Sequence, residues 1–218
     1  MAKNLDLPEY GYRQLSDELE INISGDVDGF GGCSHGACKI VNIGPNTKIK
    51  GQYFFEECKS LKRIDFGQNV SITGNNTFIG CSSLTELDAP TGFRLFGNGT
   101  FARCGFRKLV IPKGTIIDKY FTYGECPFLD TVIVEDDVVI SRNQTFANCP
   151  KLSIVLIGNR VQILGDETFA NCDRLETFRV GDDFTMTGKD NVAGCRNIST
   201  STHGKNISYT DDSYRRNA

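Results

Sequence analysis

The chain has 218 residues, a formal net charge of −3 and a hydrophobic fraction of 39%. The absence of a basic excess disfavours a nucleic-acid-binding protein. No apolar stretch is long enough to predict a transmembrane span or, at the start of the chain, a secretory signal, so we expect a cytoplasmic location by default. Transport to a surface or a virion would then require assembly with other proteins.

The first 20 residues differ from the periodic sequence that follows them. Tyr12, Leu15 and Leu19 have helical spacing, which predicts a short amphipathic cap over the first structural unit. After this segment, Ile21-Asn22-Ile23-Ser24-Gly25 matches the later stretch Val70-Ser71-Ile72-Thr73-Gly74. We therefore expect residues 1–20 to form a cap and the repeats to begin at Ile21.

An aromatic residue followed three positions later by cysteine recurs along the chain. The pairs are Phe30/Cys33, Phe55/Cys58, Phe78/Cys81, Phe101/Cys104, Tyr123/Cys126, Phe146/Cys149 and Phe169/Cys172, and Val192/Cys195 ends the series. Successive cysteines of this series are 22 to 25 residues apart. This period predicts a solenoid, because one unit cannot bury its own apolar face and must stack on its neighbours.

Each unit contains two stretches in which every second residue is apolar. This period of two predicts half-buried strands. The first pairs are Ile64/Phe66, Leu87/Ala89, Leu109/Ile111, Val132/Val134, Val155/Ile157 and Phe178/Val180. The second pairs are Val70/Ile72, Phe93/Leu95, Thr115/Ile117, Val138/Ile140, Val161/Ile163 and Phe184/Met186. The second stretch ends at Gly51, Gly74, Gly97, Gly165 and Gly188, where we expect corners with positive φ.

The repeat, Thr-Phe-x-x-Cys-x-x-Leu-x-x-Ile-x-Ile-Pro/Gly-x-x-Val-x-x-Ile-Gly, resembles the leucine-rich repeat of the BspA-like, or Treponema pallidum, type. The resemblance extends from Ile21 to Gly204. It implies a mainly β, right-handed leucine-rich-repeat solenoid of about eight 23-residue coils with a short N-terminal cap. It also implies a non-enzymatic protein-binding surface, since many such proteins are cell-surface adhesins. Those relatives usually carry an export signal, which we do not find at the start of this sequence.

The residue types that could support catalysis or metal binding do not converge in this sequence. Cys33 and Cys38 flank His35, but both cysteines occupy core columns and the other histidine, His203, is far away. Asp26-Val27-Asp28-Gly29 lacks the downstream glutamate of a calcium loop. We therefore expect no enzyme activity, no metal and no cofactor. We also expect the nine cysteines to be reduced packing residues.

The outward strand positions depart from the polar character expected of a solvated surface. In the first stretch they read Asp65, Asp88, Val110, Ile133, Leu156 and Arg179, and in the second stretch they include Ile116, Val139, Phe96 and Leu164. An exposed apolar patch usually marks an interaction site, so we expect these seven apolar residues to bind a protein partner. Two alternatives stay open: simple β-propensity, and cover by the N- or C-terminal segment.

Two functions are compatible with this solenoid. The first is a protein-binding scaffold, and the second is a structural subunit of a larger assembly such as a virion, a surface appendage or a homo-oligomer. The polar tail, residues 205–218, is predicted to be disordered or to contact a partner. The period also places Asp137, Arg160 and Asp183 in one corner column, so we expect Arg160 to lie between two carboxylates.

Overall fold

The protein is a parallel β-solenoid in which most coils contribute one long strand and one short strand. The computed structural model describes residues 3–5, 20–29, 31–90 and 94–210. Within these ranges the chain contains strands and turns but no helix. The mainly β solenoid predicted from the cysteine period is therefore confirmed.

The strands fall into two series. The long series consists of β1 (Lys3–Leu5), β2 (Glu20–Ile23), β3 (Ile40–Ile43), β5 (Arg63–Phe66), β8 (Lys108–Ile111), β10 (Thr131–Val134), β12 (Ile154–Ile157), β14 (Thr177–Val180) and β16 (Thr200–His203). The short series consists of β4 (Lys48–Ile49), β6 (Ser71–Ile72), β7 (Arg94–Leu95), β9 (Ile116–Ile117), β11 (Val139–Ile140), β13 (Gln162–Ile163), β15 (Thr185–Met186) and β17 (Ser208–Tyr209). The short strands form one sheet, and the long strands form two.

One continuous core runs through the coils. Its centre is a stack of rings from Phe55, Phe78, Phe101, Tyr123, Phe146 and Phe169. Neighbouring ring centroids are 4.9 to 5.7 Å apart, and the ring planes differ by only 3° to 7°. The aromatic column thus repeats at about the spacing of paired strands, which explains why one aromatic residue recurs in every unit.

The cysteine column lies beside the aromatic stack and contacts its backbone. The Sγ atoms of Cys81 and Cys104 donate to the carbonyl oxygens of Phe55 and Phe78 in the preceding coil, each at 3.2 Å. A thiol is small and apolar enough for the core, yet it can still donate a weak hydrogen bond. The column therefore favours cysteine over a purely apolar residue of similar size.

The glycines at the ends of the short strands do not form positive-φ corners, so that prediction is wrong. A Cβ atom at Gly74, Gly97 or Gly188 would lie 1.8 to 2.0 Å from the carbonyl oxygen of the equivalent glycine one coil earlier. Close approach of two backbones therefore demands glycine there. A positive-φ residue instead precedes seven of the eight short strands, at Asn46, Asn69, Gly114, Asp137, Arg160, Asp183 and Asn206, with φ between 55° and 72°.

The first coil has a different register from the one predicted. Ile21 pairs with Val41, and Val41 pairs with Ile64, so the stretch beginning at Ile21 belongs to the long series rather than the short one. The short-strand position of this coil is Val27, which forms an isolated bridge with Ile49. Both strand types show the same local alternation, so sequence pattern alone could not separate them.

The predicted strand around Leu87 and Ala89 is also absent. Residues 85–90 form no strand, and this gap divides the long strands into one sheet ending at β5 and another beginning at β8. Pro90 lacks the N–H group that would extend the ladder, and the side chain of Leu87 is only half-buried. The short strands remain continuous past this point.

The structure describes only part of the predicted cap and of the predicted tail. Strand β1 pairs with β2, but Tyr12, Leu15 and Leu19 lie outside the described residues, as do Phe30 and Phe93. Strand β17 pairs with β15 inside the segment assigned to the tail. The cap at residues 1–20 and the tail at 205–218 therefore stay predictions.

Replacing Thr47 with valine should stabilise the protein. Thr47 is completely buried, and its hydroxyl has no hydrogen-bond partner among the described residues. Other coils have Val70, Val138 or Val161 in this column. A buried hydroxyl without a hydrogen-bond partner destabilises the folded protein, because it has lost its contacts with water. We therefore expect Thr47→Val to raise the free energy of unfolding by about 1 kcal/mol, measured with urea.

Thr115→Val is the matched control, because it makes the same change in the same column. The Thr115 hydroxyl donates to the carbonyl oxygen of Pro112 at 2.6 Å. Its removal should lower the free energy of unfolding by about 1 kcal/mol. A change of the same sign in both variants would contradict this account of the column.

Candidate binding surface

The outward side chains of the long strands form an apolar column near the middle of the solenoid. Val110, Ile133 and Leu156 occupy the third positions of β8, β10 and β12 and pair directly across the sheet. All three side chains are half-buried, whereas their neighbours on the inward face are buried. The column ends at Arg179, which pairs with Leu156. The structure thus places these three residues together, as the repeat pattern predicts.

Beside this column the surface has a shallow, open depression of about 450 Å³. Ile133 and Leu156 contribute apolar side chains to its lining, and Lys113, Glu135 and Asp136 contribute charged groups from the adjacent corners. Apolar area bordered by polar groups is the usual composition of a protein interface. We call this region the long-strand site; it consists of the apolar column and the three charged residues.

The charged corner of the long-strand site is held in place by contacts between successive coils. The backbone N–H of Lys113 donates to Glu135 Oε2 at 2.8 Å, and Lys113 Nζ lies 3.5 Å from Asp137 Oδ2. A hydrogen bond from Arg160 lowers the pKa of Asp137, and the backbone N–H of Asn159 lowers the pKa of Asp136. Both carboxyl groups are therefore ionised at neutral pH.

Arg160 contacts carboxylates on one side rather than on two. Its Nε and Nη2 atoms donate to the two oxygens of Asp137 at 2.6 and 3.0 Å, and Nη2 lies 3.6 Å from Asp136 Oδ2. Asp183, the other predicted partner, instead accepts a hydrogen bond from Asn206 at 2.9 Å. A planar guanidinium that already binds one carboxylate through two bonds cannot offer the same edge to the next coil.

Arg160→Glu should lower the stability of the solenoid mainly at low salt. The change would stack a carboxylate between Asp137 and Asp183, and ions screen repulsion between exposed charges. We expect a lower urea midpoint than in the wild type at low ionic strength and a smaller difference in high salt. Arg160→Gln, which removes the ion pair without adding repulsion, should respond less to salt. An unchanged midpoint for Arg160→Glu at low ionic strength would contradict the prediction.

The other four predicted residues lie on the short-strand sheet and not in the long-strand site. Ile116 pairs with Val139 on adjacent strands. Phe96 follows β7 and Leu164 follows β13, so each is diagonal to the central pair. Ile116 and Leu164 are 38% and 41% exposed, while Phe96 and Val139 are half-buried. We call this zigzag the short-strand ridge: Phe96, Ile116, Val139 and Leu164.

Sequence reasoning missed three exposed apolar side chains. Ile154 is 36% exposed at the first outward position of β12, and its column otherwise reads Lys108, Thr131 and Thr177. Phe128 is 42% exposed, with Lys151 Nζ 5.2 Å from its ring centroid, and Tyr120 is 49% exposed. Alignment of the first outward position, and not only the third, would have identified Ile154.

Burial shields the cysteines from reagents while the protein is folded. All nine are unpaired thiols and buried. Burial raises the pKa of Cys33 and of Cys195 to about 12, so these thiols stay protonated at neutral pH. We expect a thiol reagent to modify few cysteines until the protein is unfolded by denaturant. Rapid labelling of six or more without denaturant would contradict this packing role.

The polar groups around His35 are not arranged as a serine–histidine–carboxylate triad. Ser34 Oγ lies 3.0 Å from His35 Nδ1 and 3.3 Å from Glu56 Oε2, so the carboxylate contacts the hydroxyl and does not orient the imidazole. His35 is exposed, whereas Cys33 and Cys38 are buried. In the described part of the chain, no group of three or more histidine, cysteine, aspartate or glutamate side chains is placed to hold a metal ion.

The fold and its repeat define a leucine-rich-repeat scaffold. The sequence profile of the BspA type leucine-rich repeat region matches residues 7–125 and 115–217, with six copies. The chain therefore belongs to the BspA type leucine-rich repeat family. A leucine-rich repeat protein from Bacteroides ovatus ATCC 8483 is similar to this chain, with 16% identity, a TM-score of 0.39 and coverage of 84% of this chain and 68% of that one. No curated protein gave a match.

Over residues 3–5, 20–29, 31–90 and 94–210, no helix has the length and apolar character needed to cross a membrane.

Proposed function

We propose that this chain is a non-enzymatic, adhesin-like scaffold that binds a protein partner through the long-strand site. The observation that carries the proposal is the apolar column of Val110, Ile133 and Leu156 beside a shallow depression with charged side chains at its edge. Monomeric proteins rarely leave a contiguous apolar surface open to solvent. Membership of a family of repeat scaffolds supports the same function.

The chemistry of the long-strand site favours a partner segment with both apolar and polar groups. Ile133 and Leu156 offer apolar contact for one or two anchoring side chains. Glu135 and Lys113 provide charges of both signs at the rim, where they set orientation more than affinity. An extended segment or a loop presenting an apolar anchor and a polar flank would match this surface.

Selection from a displayed peptide library, followed by affinity measurement, tests the proposal. Peptides that bind the wild type should bind Ile133→Asp and Leu156→Asp at least about tenfold more weakly, because a charge would replace an anchor contact. Thr187→Asp, an exposed change on the short-strand sheet, should leave their affinity unchanged. Binders that are insensitive to Ile133→Asp and Leu156→Asp would overturn the assignment.

A structural subunit of a larger assembly is the second candidate function. The short-strand ridge favours it, because apolar surfaces on two different sheets would let one chain contact two neighbours. Light scattering coupled to size exclusion separates the candidates. A defined oligomer larger than a dimer supports the assembly subunit, and a protein no larger than a dimer supports the recognition scaffold.

A further inference from the structure

The short-strand ridge has a symmetric layout across four successive strands. Its two central residues, Ile116 and Val139, occupy the first outward position and pair directly. Its two terminal residues, Phe96 and Leu164, each follow a strand and occupy the third outward position. From β7 to β13 the apolar residue therefore occupies the third, first, first and third outward position, and this pattern is the same from either end of the solenoid.

A symmetric pattern of this kind is what an interface between identical surfaces requires. We infer that the short-strand sheet associates face to face with the same sheet of a second copy of this chain. A two-fold axis parallel to the strands and between β9 and β11 places Ile116 opposite Val139 of the second copy. The same axis places Phe96 opposite Leu164 of the second copy, and the two solenoids are antiparallel.

The polar residues around the ridge satisfy the same symmetry. Arg94, which pairs with Ile116 within the sheet, meets Gln162 of the second copy, and Asp118 meets Ser141 of the second copy. Over these four strands no like charges are directly opposite each other, and Asp118 lies diagonal to Asp118 of the second copy. A sheet that associates with its own copy needs this arrangement, because like charges in direct opposition would repel.

The charge nearest the centre of the ridge is already neutralised within one chain. Asp118 Oδ1 accepts a hydrogen bond from Ser141 Oγ at 2.9 Å and lies 3.2 Å from Arg142 Nε. Covering this carboxylate therefore leaves it with partners, which removes the main cost of burying a charge at an interface.

The size of the face indicates a weak, reversible dimer. Eight strands at a spacing of about 4.8 Å give a face about 38 Å long, and three residues across give a width of about 10 Å. Complete coverage would bury about 400 Å² per copy, roughly half of the about 800 Å² per partner in a standard interface. Association should therefore appear only at high protein concentration.

Sedimentation equilibrium measures this association. Because the interface is small, the protein concentration should extend to about several hundred micromolar. We expect a monomer–dimer equilibrium for the wild type and a loss of affinity of about tenfold or more for Ile116→Asp and for Leu164→Asp. Both changes are on exposed side chains, so circular dichroism should show folded proteins. Ile133→Asp, which alters the long-strand site, should dimerise like the wild type.

A complementary pair of variants tests the antiparallel geometry itself. Ile116→Lys and Val139→Asp should each associate poorly alone. In a dimer of the two variants, the introduced lysine faces the introduced aspartate on one side of the two-fold axis. On the other side, the native Val139 of one chain faces the native Ile116 of the other. The mixture should therefore associate at least about tenfold more strongly than either variant alone.

Three outcomes would overturn the inference. They are a wild type that stays monomeric at every concentration, a dimer that Ile116→Asp and Leu164→Asp leave intact, and a mixture that associates no better than its components. Loss of the dimer in Ile133→Asp but not in Ile116→Asp would assign self-association to the long-strand site instead. Peptide binding at that site is measured separately, so either proposal can fail without the other.

Discussion

Replacing Val132 with aspartate should unfold the solenoid. Val132 is completely buried in β10, and its neighbours in the ladder, Leu109 and Val155, are buried as well. An aspartate there would place a carboxylate in the apolar core without a partner. We expect a loss of about 4 kcal/mol or more in the free energy of unfolding, measured by urea denaturation followed by circular dichroism.

Ile133→Asp is the matched control, because it makes a similar change one residue later in the same strand. Ile133 faces outward and is half-buried, so its replacement leaves no cavity in the core. This variant should stay folded, with a midpoint close to that of the wild type. Equal destabilisation of both variants as monomers would contradict the inward and outward assignment of β10.

Gly97→Ala should strongly destabilise the solenoid. The added Cβ would lie 1.9 Å from the carbonyl oxygen of Gly74, so two adjacent coils would have to separate. Because the core packs at the spacing of these coils, we expect a loss of about 3 kcal/mol in the free energy of unfolding. Thermal and urea denaturation would measure it.

Gly114→Ala adds the same methyl group where there is space for it. A Cβ at Gly114 meets no atom within 4 Å, but the residue has φ of +72°. Only conformational strain opposes alanine here, at a cost of about 1 to 2 kcal/mol. Gly97→Ala should therefore be clearly less stable than Gly114→Ala, and the reverse order would contradict the close-approach explanation.

The apolar column of the long-strand site could be predicted from sequence because it depends on one count. Once the cysteine period is known, Val110, Ile133 and Leu156 occupy equivalent positions, and stacking of coils makes equivalent positions neighbours. The same count gave the wrong register for the first coil. An insertion there changes the interval, and the long and short strands share the same alternation.

The two roles of glycine could not be separated by sequence. Gly97 needs a missing Cβ because another backbone is close, whereas Gly114 needs positive φ. The sequence shows the same residue at both corners, although the corner of Gly114 also holds Asn46, Asp137 and Arg160 in other coils. Residues with side chains tolerate a left-handed φ but not a carbonyl oxygen at the position of Cβ.

The sequence by itself determined that this protein is a solenoid, because no single unit of its period can bury its own apolar residues. It also determined which side chains face inward, since alternation along a strand is a local property. Only the tertiary structure decided that the two groups of outward apolar residues, one on each series of strands, form separate surfaces. The backbone conformation at the corner between the sheets sets the angle between them. The alternation of apolar residues within either strand does not encode that conformation.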